Sequence, residues 1–199
     1  MLIETEEEAI KEAEEDRKLC GIDEAGRGSL AGPLVVAGVV LHKKIDGLND
    51  SKKLTLKKRE ELFDKIVSSS SYEIIFTDNK TIDEIGLSKA LKNSIIDIKE
   101  KFQGYDILMD GNTNFAVEGV RCLIKADAKI PEVSAASILA KVSRDRYMLK
   151  ISEKYPIYYF EKHKGYGTKE HIEAIRKFGY SDLHRKSFII KNLKQSSLF

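Results

Sequence analysis

Short apolar segments rich in β-branched residues alternate along this chain with stretches whose apolar residues recur at helical spacing. This alternation predicts an α/β sheet flanked by helices. The predicted strands are 19–24, 34–41, 71–78, 105–111 and 120–124. The predicted helices are 54–67, 87–102, 133–155 and 168–178. After Pro156 the chain becomes rich in Lys and Tyr and has one helical pattern, at 168–178, so we expect a small helical lobe at its C-terminal end.

The length of 199 residues, with 42% hydrophobic residues, allows one well-packed domain with at most a small appended lobe. We expect an acidic helix or arm at 1–18 and an α/β domain at 19–155. A C-terminal helical lobe and tail at 156–199 is expected to pack with that domain as one unit.

The net charge of +2 averages over an uneven chain. The first 19 residues hold eight acidic and three basic side chains, whereas residues 141–194 hold fourteen basic and six acidic ones. The basic stretch is a candidate surface for a phosphate backbone. Scattered lysines on a solvated helical face would give the same count, so both interpretations stay open.

No apolar run approaches the roughly 20 residues that a membrane-spanning helix needs. The N-terminal segment is acidic where a signal peptide would be basic and then apolar. We therefore expect a cytoplasmic protein with no membrane segment. Cys20 and Cys122 stand apart from any CxxC or Cys/His spacing, which favours two reduced core thiols.

Carboxylates stand at or just beyond the ends of three predicted strands. Asp23 and Glu24 run into the Gly-Arg-Gly turn at 26–28, Asp110 stands at the end of the strand 105–111, and Asp127 lies just past the strand 120–124. Because side chains alternate along a strand, Asp23 and Glu24 share one site only if the strand twists or ends there. A single such acid is commonly a cap, a turn residue or an ion-pair partner. Several together repel unless cations hold them, and oxygen ligands of this kind suit Mg²⁺ or Mn²⁺.

Other chemistries find little support in the sequence. There is no GxxxxGK[ST] loop, and the glycines at 26, 28 and 32 precede an apolar strand where a dinucleotide-binding loop would precede a helix. There is no GxSxG or HExxH motif, which argues against serine hydrolysis and zinc proteolysis. Two metal ions about 3.5 to 4 Å apart could instead support hydrolysis of a phosphodiester.

Five segments resemble, in order, the motifs of the type 2 ribonuclease H family, ribonuclease HII. They are GIDEAGRGSLAGPLVVAGVV (21–40), LNDSKKL (48–54), ILMDG (107–111), KADAKIPEVSAASILAKVSRDR (125–146) and HKGYGT (163–168). They cover nearly the whole chain after residue 18 and are long enough to be highly specific.

The resemblance implies an RNase H-like mixed sheet flanked by helices, with the small C-terminal helical lobe. It implies metal-dependent cleavage of RNA in RNA/DNA hybrids and incision 5′ to single ribonucleotides in duplex DNA, leaving 3′-hydroxyl and 5′-phosphate ends. We expect the enzyme to be a monomer. The implied catalytic and metal-binding residues are Asp23, Glu24, Asp110 and Asp127, with Asp23 and Asp110 contacting both ions.

The resemblance also implies residues that bind the substrate. Gly26, Arg27 and Gly28 would let backbone groups approach the 2′-hydroxyl, which distinguishes RNA from DNA. Tyr166 would pack against the sugar of the following deoxynucleotide, and Lys52 would contact a phosphate. Without the motifs, Tyr166 reads as ordinary packing and Lys52 as a solvated lysine.

Two positions in the fourth motif need separate expectations. The family usually has Lys-Gly-Asp where this chain has Lys-Ala-Asp, so Ala126 removes the backbone freedom of that glycine and bears on the geometry of Asp127. We interpret Asp145 as structural, paired with a nearby arginine.

The C-terminal QSSLF resembles the short peptides by which replication and repair proteins dock on a sliding clamp, through Gln195, Leu198 and Phe199. Packing of the last two residues on the protein's own body is the alternative. Two other functions stay open: a junction resolvase on the same sheet, and a non-catalytic protein that binds hybrids.

Overall fold

The computed structural model describes residues 18–48 and 54–190. Within these ranges five strands form one sheet. The strands are β1 (Leu19–Ala25), β2 (Leu34–Leu41), β3 (Ser70–Thr77), β4 (Asp106–Asp110) and β5 (Val120–Leu123). All five were predicted, with boundaries within two residues.

The sheet is mixed, as the resemblance implied, with strand order β3-β2-β1-β4-β5. The first three strands pair antiparallel, whereas β4 and β5 join β1 in parallel. Because β1, β4 and β5 run in the same direction, the residues at their C-terminal ends meet along one edge of the sheet.

Helices cover both faces of the sheet. They are α1 (Leu56–Val67), α2 (Asn79–Ile85), α3 (Leu87–Lys101), α4 (Pro131–Ser152), α5 (Phe160–His163) and α6 (Lys169–Phe178). Single 3₁₀ turns lie at Ala126–Ala128 and Pro156–Tyr158. Among the described helices, none is both long and apolar enough to cross a membrane.

The local sequence explains where several helices begin. The hydroxyls of Thr55 and Thr168 accept hydrogen bonds from backbone N–H groups of α1 and α6, at 3.2 and 3.3 Å. The short helix α2 was not predicted, because Asp78 was assigned to the preceding strand. Its carboxylate instead caps α2, accepting a 2.7 Å hydrogen bond from the Thr81 N–H. The long helix α4 begins two residues earlier than predicted, with Pro131 in its first turn.

The two faces of the sheet bury separate parts of the core. On one face, alternate residues of β1 and β2 such as Ile22 and Val36 pack against α3. On the other face, residues such as Val35 and Ala37 pack against α1 and α4. The small side chains of α4 let it lie very close to β1. A Cβ added at Gly21 would lie 2.3 Å from the backbone of Glu132 and Val133, so only glycine fits there.

The C-terminal lobe has its own buried cluster, which includes Tyr158, Phe160 and Ala174 and reaches Met148 of α4 and Ala31 of the β1–β2 connection. The loop at 163–168 is tied to that connection, since the Leu30 and Ala31 N–H groups donate to the Gly165 carbonyl at 2.8 and 3.2 Å. Motifs far apart in the sequence therefore meet at one place. The boundaries of the three predicted parts remain a prediction, and residues 1–17 lie outside the described ranges.

Candidate active site

Three of the four predicted carboxylates converge at the C-terminal edge of the parallel strands. The β1–β4 register pairs Ile22 with Met109, so Asp23 and Asp110 are the next residues of the two strands. Asp127 lies in the 3₁₀ turn that follows β5. One oxygen of each of these three carboxylates lies within 4.8 Å of the others. Among the described residues they form a group of oxygen donors suited to a divalent cation.

Asp23 is buried, with only 6% of its surface exposed. Burial, together with the charges of Glu24 and Asp110, raises the pKa of Asp23 well above its usual range. Hydrogen bonds from Ser137 of α4 and from the Glu24 N–H, at 2.7 Å, oppose this rise in pKa. The cluster is therefore electrostatically unfavourable by itself, and a bound cation would relieve it.

Asp110 and Asp127 are held by the turn after β5. The Ala126 N–H donates a 2.8 Å hydrogen bond to the Asp110 carboxylate. The residue with left-handed backbone is Lys125, at φ 60°, and Ala126 is not among the residues with positive φ. Ala126 is fully buried against Leu108 and Val133. The alanine in Lys-Ala-Asp thus costs no backbone strain in this position.

Glu24 lines the same cleft but lies outside the close group of three. It pairs in register with Val36, whereas Asp23 pairs with Ala37, so the two acids start from opposite faces of β1. The Glu24 carboxylate forms an ion pair with Arg27 at 3.7 Å, and its side chain is 14% exposed. Glu24 therefore links the acidic cluster to the turn at 26–28.

The cleft around the acids has a volume of about 370 Å³. It brings the carboxylates of β1 and β4 together with the 26–28 turn, Lys141 and Tyr166. Its lining residues are Asp23, Glu24, Ala25, Gly26, Arg27, Gly28, Arg59, Asp110, Ser137, Lys141 and Tyr166.

The 26–28 turn is built against Tyr166 and the long helix. The Gly26 N–H donates to the Tyr166 hydroxyl at 3.2 Å. Gly26 has φ 86°, and a Cβ there would lie 2.0 Å from the Arg144 Nε, so both backbone and packing require glycine. Gly28 differs, because a Cβ added to it would meet no atom within 4 Å. Its missing side chain leaves open space at the mouth of the cleft.

Two buried arginines support the connection from β1 to β2. The Arg144 guanidinium donates to the carbonyls of Pro33 and Ala31 at 2.9 and 3.1 Å. Arg185 donates to the carbonyls of Gly32 and Arg27 at 3.0 and 3.1 Å. The guanidinium of Arg144 also lies 5.1 Å from the centroid of the Tyr166 ring.

The predicted pairing of Asp145 with an arginine is wrong. Asp145 accepts a 2.8 Å hydrogen bond from the Lys141 ammonium, one helical turn earlier, while Arg144 points into the protein. The predicted basic surface after residue 141 is also smaller than the sequence count, because Arg144 and Arg185 are buried.

Some lining residues were missed by sequence reasoning. Ser137 lies on α4, and Arg59 sits in the first turns of α1. Helical spacing from the buried Val133 would have placed Ser137 on the sheet side of α4. Lys52, Gln195, Leu198 and Phe199 lie outside the described residues.

Comparison with known proteins gives the same family as the motifs. The family model described as ribonuclease HII matches residues 20–191. A ribonuclease HII of Aliarcobacter butzleri is 60% identical over 184 residues, covering 92% of this chain and 96% of that protein.

This chain belongs to the ribonuclease HII family.

Solved structures agree with this membership. The ribonuclease H2 of Pyrococcus horikoshii is 30% identical with a TM-score of 0.72, covering 86% of this chain and 93% of that one. A chain from the PCNA:RNase HII complex of Archaeoglobus fulgidus is 28% identical with a TM-score of 0.75, covering 87% and 96%. The expected α/β fold of the ribonuclease HII family is confirmed, and the junction resolvase alternative loses its support.

Proposed function

We propose that this protein is a divalent-metal-dependent endoribonuclease that hydrolyses the RNA strand of RNA/DNA hybrids. We further propose that it incises 5′ to a single ribonucleotide embedded in duplex DNA, leaving 3′-hydroxyl and 5′-phosphate ends. The observation that carries the proposal is the close group of Asp23, Asp110 and Asp127 in a ribonuclease HII chain.

The residues proposed to hold the metal ions are Asp23, Asp110 and Asp127, with Glu24 at the border of the cluster. Their oxygen donors and the raised pKa of Asp23 support a cation at this place. Bound divalent ions supply an activated water and stabilise the leaving oxygen of a phosphodiester. Carboxylate ligands suit both Mg²⁺ and Mn²⁺, and we propose Mg²⁺ or Mn²⁺ as the working ion.

The residues proposed to recognise the substrate are those of the 26–28 turn, with Tyr166 beside them. The open space at Gly28 supports a close approach of a nucleic-acid backbone to the turn. The contact between Gly26 and Tyr166 supports a shared role in reading the RNA-to-DNA junction. Lys52 is proposed to contact a phosphate on the basis of its motif alone.

The experiment that tests the activity is cleavage of a DNA duplex carrying one ribonucleotide, with Mg²⁺ and then with EDTA. An all-DNA duplex of the same sequence is the matched control. We expect one cut on the 5′ side of the ribonucleotide, absent with EDTA and in the control. Cutting of long hybrids without this cut would remove the junction-reading role of Tyr166. Binding of hybrids without any cleavage would favour the non-catalytic alternative.

We also propose that the C-terminal residues Gln195, Leu198 and Phe199 dock on a sliding clamp. Support comes from the resemblance of QSSLF to clamp-binding peptides and from the related ribonuclease HII described in complex with PCNA. Deletion of residues 195–199 should abolish capture by the clamp while cleavage of short oligonucleotides is unchanged. Equal capture of the full and shortened chains would contradict the docking role.

A further inference from the structure

Three histidines of the C-terminal lobe lie against one another with little or no contact with solvent. His171 and His184 are fully buried, and His163 is 8% exposed. The rings of His163 and His171 stack with centroids 4.4 Å apart, and the Nε2 atoms of His171 and His184 are 3.0 Å apart. None of the three takes part in the proposed chemistry at the carboxylates.

Hydrogen-bond partners fix which nitrogen of each ring carries the proton. His171 Nδ1 lies 2.9 Å from the Tyr166 carbonyl, which can only accept, so Nδ1 is the donor and Nε2 must accept. The hydrogen between the two rings therefore belongs to His184 Nε2. This leaves His184 Nδ1 as an acceptor, and it faces the Ser181 N–H at 2.8 Å. Each nitrogen of these two rings has one consistent role, provided that both rings are neutral.

The third ring is used in the same way. His163 Nε2 donates to the Tyr158 carbonyl at 2.9 Å, and its Nδ1 accepts from the Gly165 N–H at 3.2 Å. Both nitrogens of His163 are thus occupied by backbone groups. Only two imidazole nitrogens face each other, which is too few for a structural zinc site. The arrangement is a directed hydrogen-bond chain.

The chain ends on the backbone of Tyr166. Its carbonyl accepts from His171, and its N–H donates to the His163 carbonyl at 2.9 Å. The same residue reaches the 26–28 turn through its hydroxyl, 3.2 Å from the Gly26 N–H. A hydrophobic side chain of similar size could fill the space of His171 without burying polar atoms. The Tyr166 carbonyl also accepts from the Thr168 N–H at 2.8 Å, and the imidazole adds a second directional contact to the same carbonyl.

We propose that His171 and His184 are positioning residues that hold Tyr166 at the cleft and thereby set the preference for single ribonucleotides in DNA over continuous hybrids. The proposal rests on the proposed function, because it assigns the junction-reading role to Tyr166. Continuous hybrids present no such junction within the cleft, so their cleavage depends less on where Tyr166 stands.

The test measures kcat/KM for two substrates under the same conditions: a duplex with one embedded ribonucleotide and a long RNA/DNA hybrid. Their ratio cancels changes in metal binding or in the amount of folded enzyme. We expect His171→Leu to lower the ratio about three- to tenfold, the effect of one lost hydrogen bond on a recognition group. His171→Asn, whose side-chain amide can donate from nearly the place of Nδ1, should recover most of the ratio.

His42→Leu is the matched control, because His42 is exposed, far along the chain from the three histidines, and its ring forms a hydrogen bond with the Ser71 hydroxyl at 2.9 Å. Its ratio should equal that of the unmodified chain. A second comparison places His171→Leu in a Tyr166→Ala background, where it should have no further effect on the ratio. If His171→Leu does not fold, the comparison is made at His184 instead. His184→Leu removes the hydrogen bond to His171, and His184→Gln keeps a donor near the place of Nε2.

The outcomes separate the two proposals. The positioning role is supported if the leucine variants have a lower ratio and the amide variants recover it. His171→Leu must also have no effect on the ratio in the Tyr166→Ala background. An unchanged ratio, or an effect that persists in the Tyr166→Ala background, would overturn it and leave the histidines as packing. No cleavage of either substrate by the unmodified chain would overturn the proposed function and the positioning role together.

Discussion

The substitution Asp110→Asn tests two effects of the carboxylates at the sheet edge: their mutual repulsion without metal, and metal binding when Mg²⁺ is present. Oxygens of Asp110 lie within 4.8 Å of those of Asp23 and Asp127. At that distance two charges repel by about 1 kcal/mol in water and about 3 kcal/mol at an effective dielectric constant of about 20. The substitution keeps the volume and the acceptor for the Ala126 N–H but removes the charge. In EDTA at pH 8 we therefore expect the variant to be more stable by about 1–3 kcal/mol.

With Mg²⁺ the stability advantage of the variant should shrink or reverse. A metal bound only to the folded state adds about 2.7 kcal/mol when its concentration is a hundred times the dissociation constant. The unmodified chain should gain this stability and the variant should not, while metal-dependent cleavage disappears in the variant. Urea unfolding with and without Mg²⁺ measures both effects, and Asp97→Asn, at an exposed position of α3, is the control. A variant that is less stable in EDTA, or equally stabilised by Mg²⁺, would refute this reasoning.

Three further predictions concern glycines and histidines. Gly21→Ala should lower the free energy of unfolding by about 1–3 kcal/mol in urea titrations, because its Cβ would overlap the backbone of α4. Gly26→Ala should lower both the stability and the rate of cleavage. Gly28→Ala should keep the unfolding midpoint and lower only the rate of cleavage. Equal unfolding midpoints for the two variants would contradict the packing role of Gly26. Burial first, and the neighbouring histidine charges, lower the pKa of His171 and His184 from 6.5 to about 4, so protons bind the unfolded chain more readily. The stability that the two neutral histidines provide is fully present above pH 6.5 and is lost as the pH falls toward 4. At pH 4.5 the loss is about 2–3 kcal/mol for one histidine. Urea titrations across this pH range, with the parent and with a variant that lacks both rings, measure the loss.

Features that depend on local periodicity were predictable from the sequence. The strand at Leu34–Leu41 was predicted to the residue, because a continuous apolar β-branched run is bounded by Pro33 and a polar turn. The gathering of Asp23, Asp110 and Asp127 followed from acids at the ends of strands that prove to be parallel neighbours. The strand needed only the local run of apolar residues, whereas the set of acids came from their places at strand ends and from the resemblance to the family.

Features that depend on distant partners were not predictable. Arg144 reads as a surface charge in SRDR, yet it is buried, and its Nε–H donates a hydrogen bond to the carbonyl of Pro33, 111 residues earlier. The histidine of HKGYGT gives no sign that His171 and His184 will close a chain of hydrogen bonds behind it. Such contacts satisfy backbone groups of the β1–β2 connection and of the 163–168 loop. Spacing patterns in the sequence do not predict them, because they depend on the tertiary fold.

The adjacent acids of β1 show why the alternation of side chains along a strand matters for this site. Asp23 faces α4 and joins the buried cluster, whereas Glu24 starts from the other face and reaches Arg27 at the cleft mouth. Strand geometry thus gives two neighbouring carboxylates different partners: one belongs to the acidic cluster and the other to the turn. That turn also contacts the Tyr166 hydroxyl through Gly26. A displacement of Glu24 would therefore also shift the residues proposed to recognise the sugar. Metal binding and recognition of the ribonucleotide are therefore expected to be coupled through this short segment of backbone.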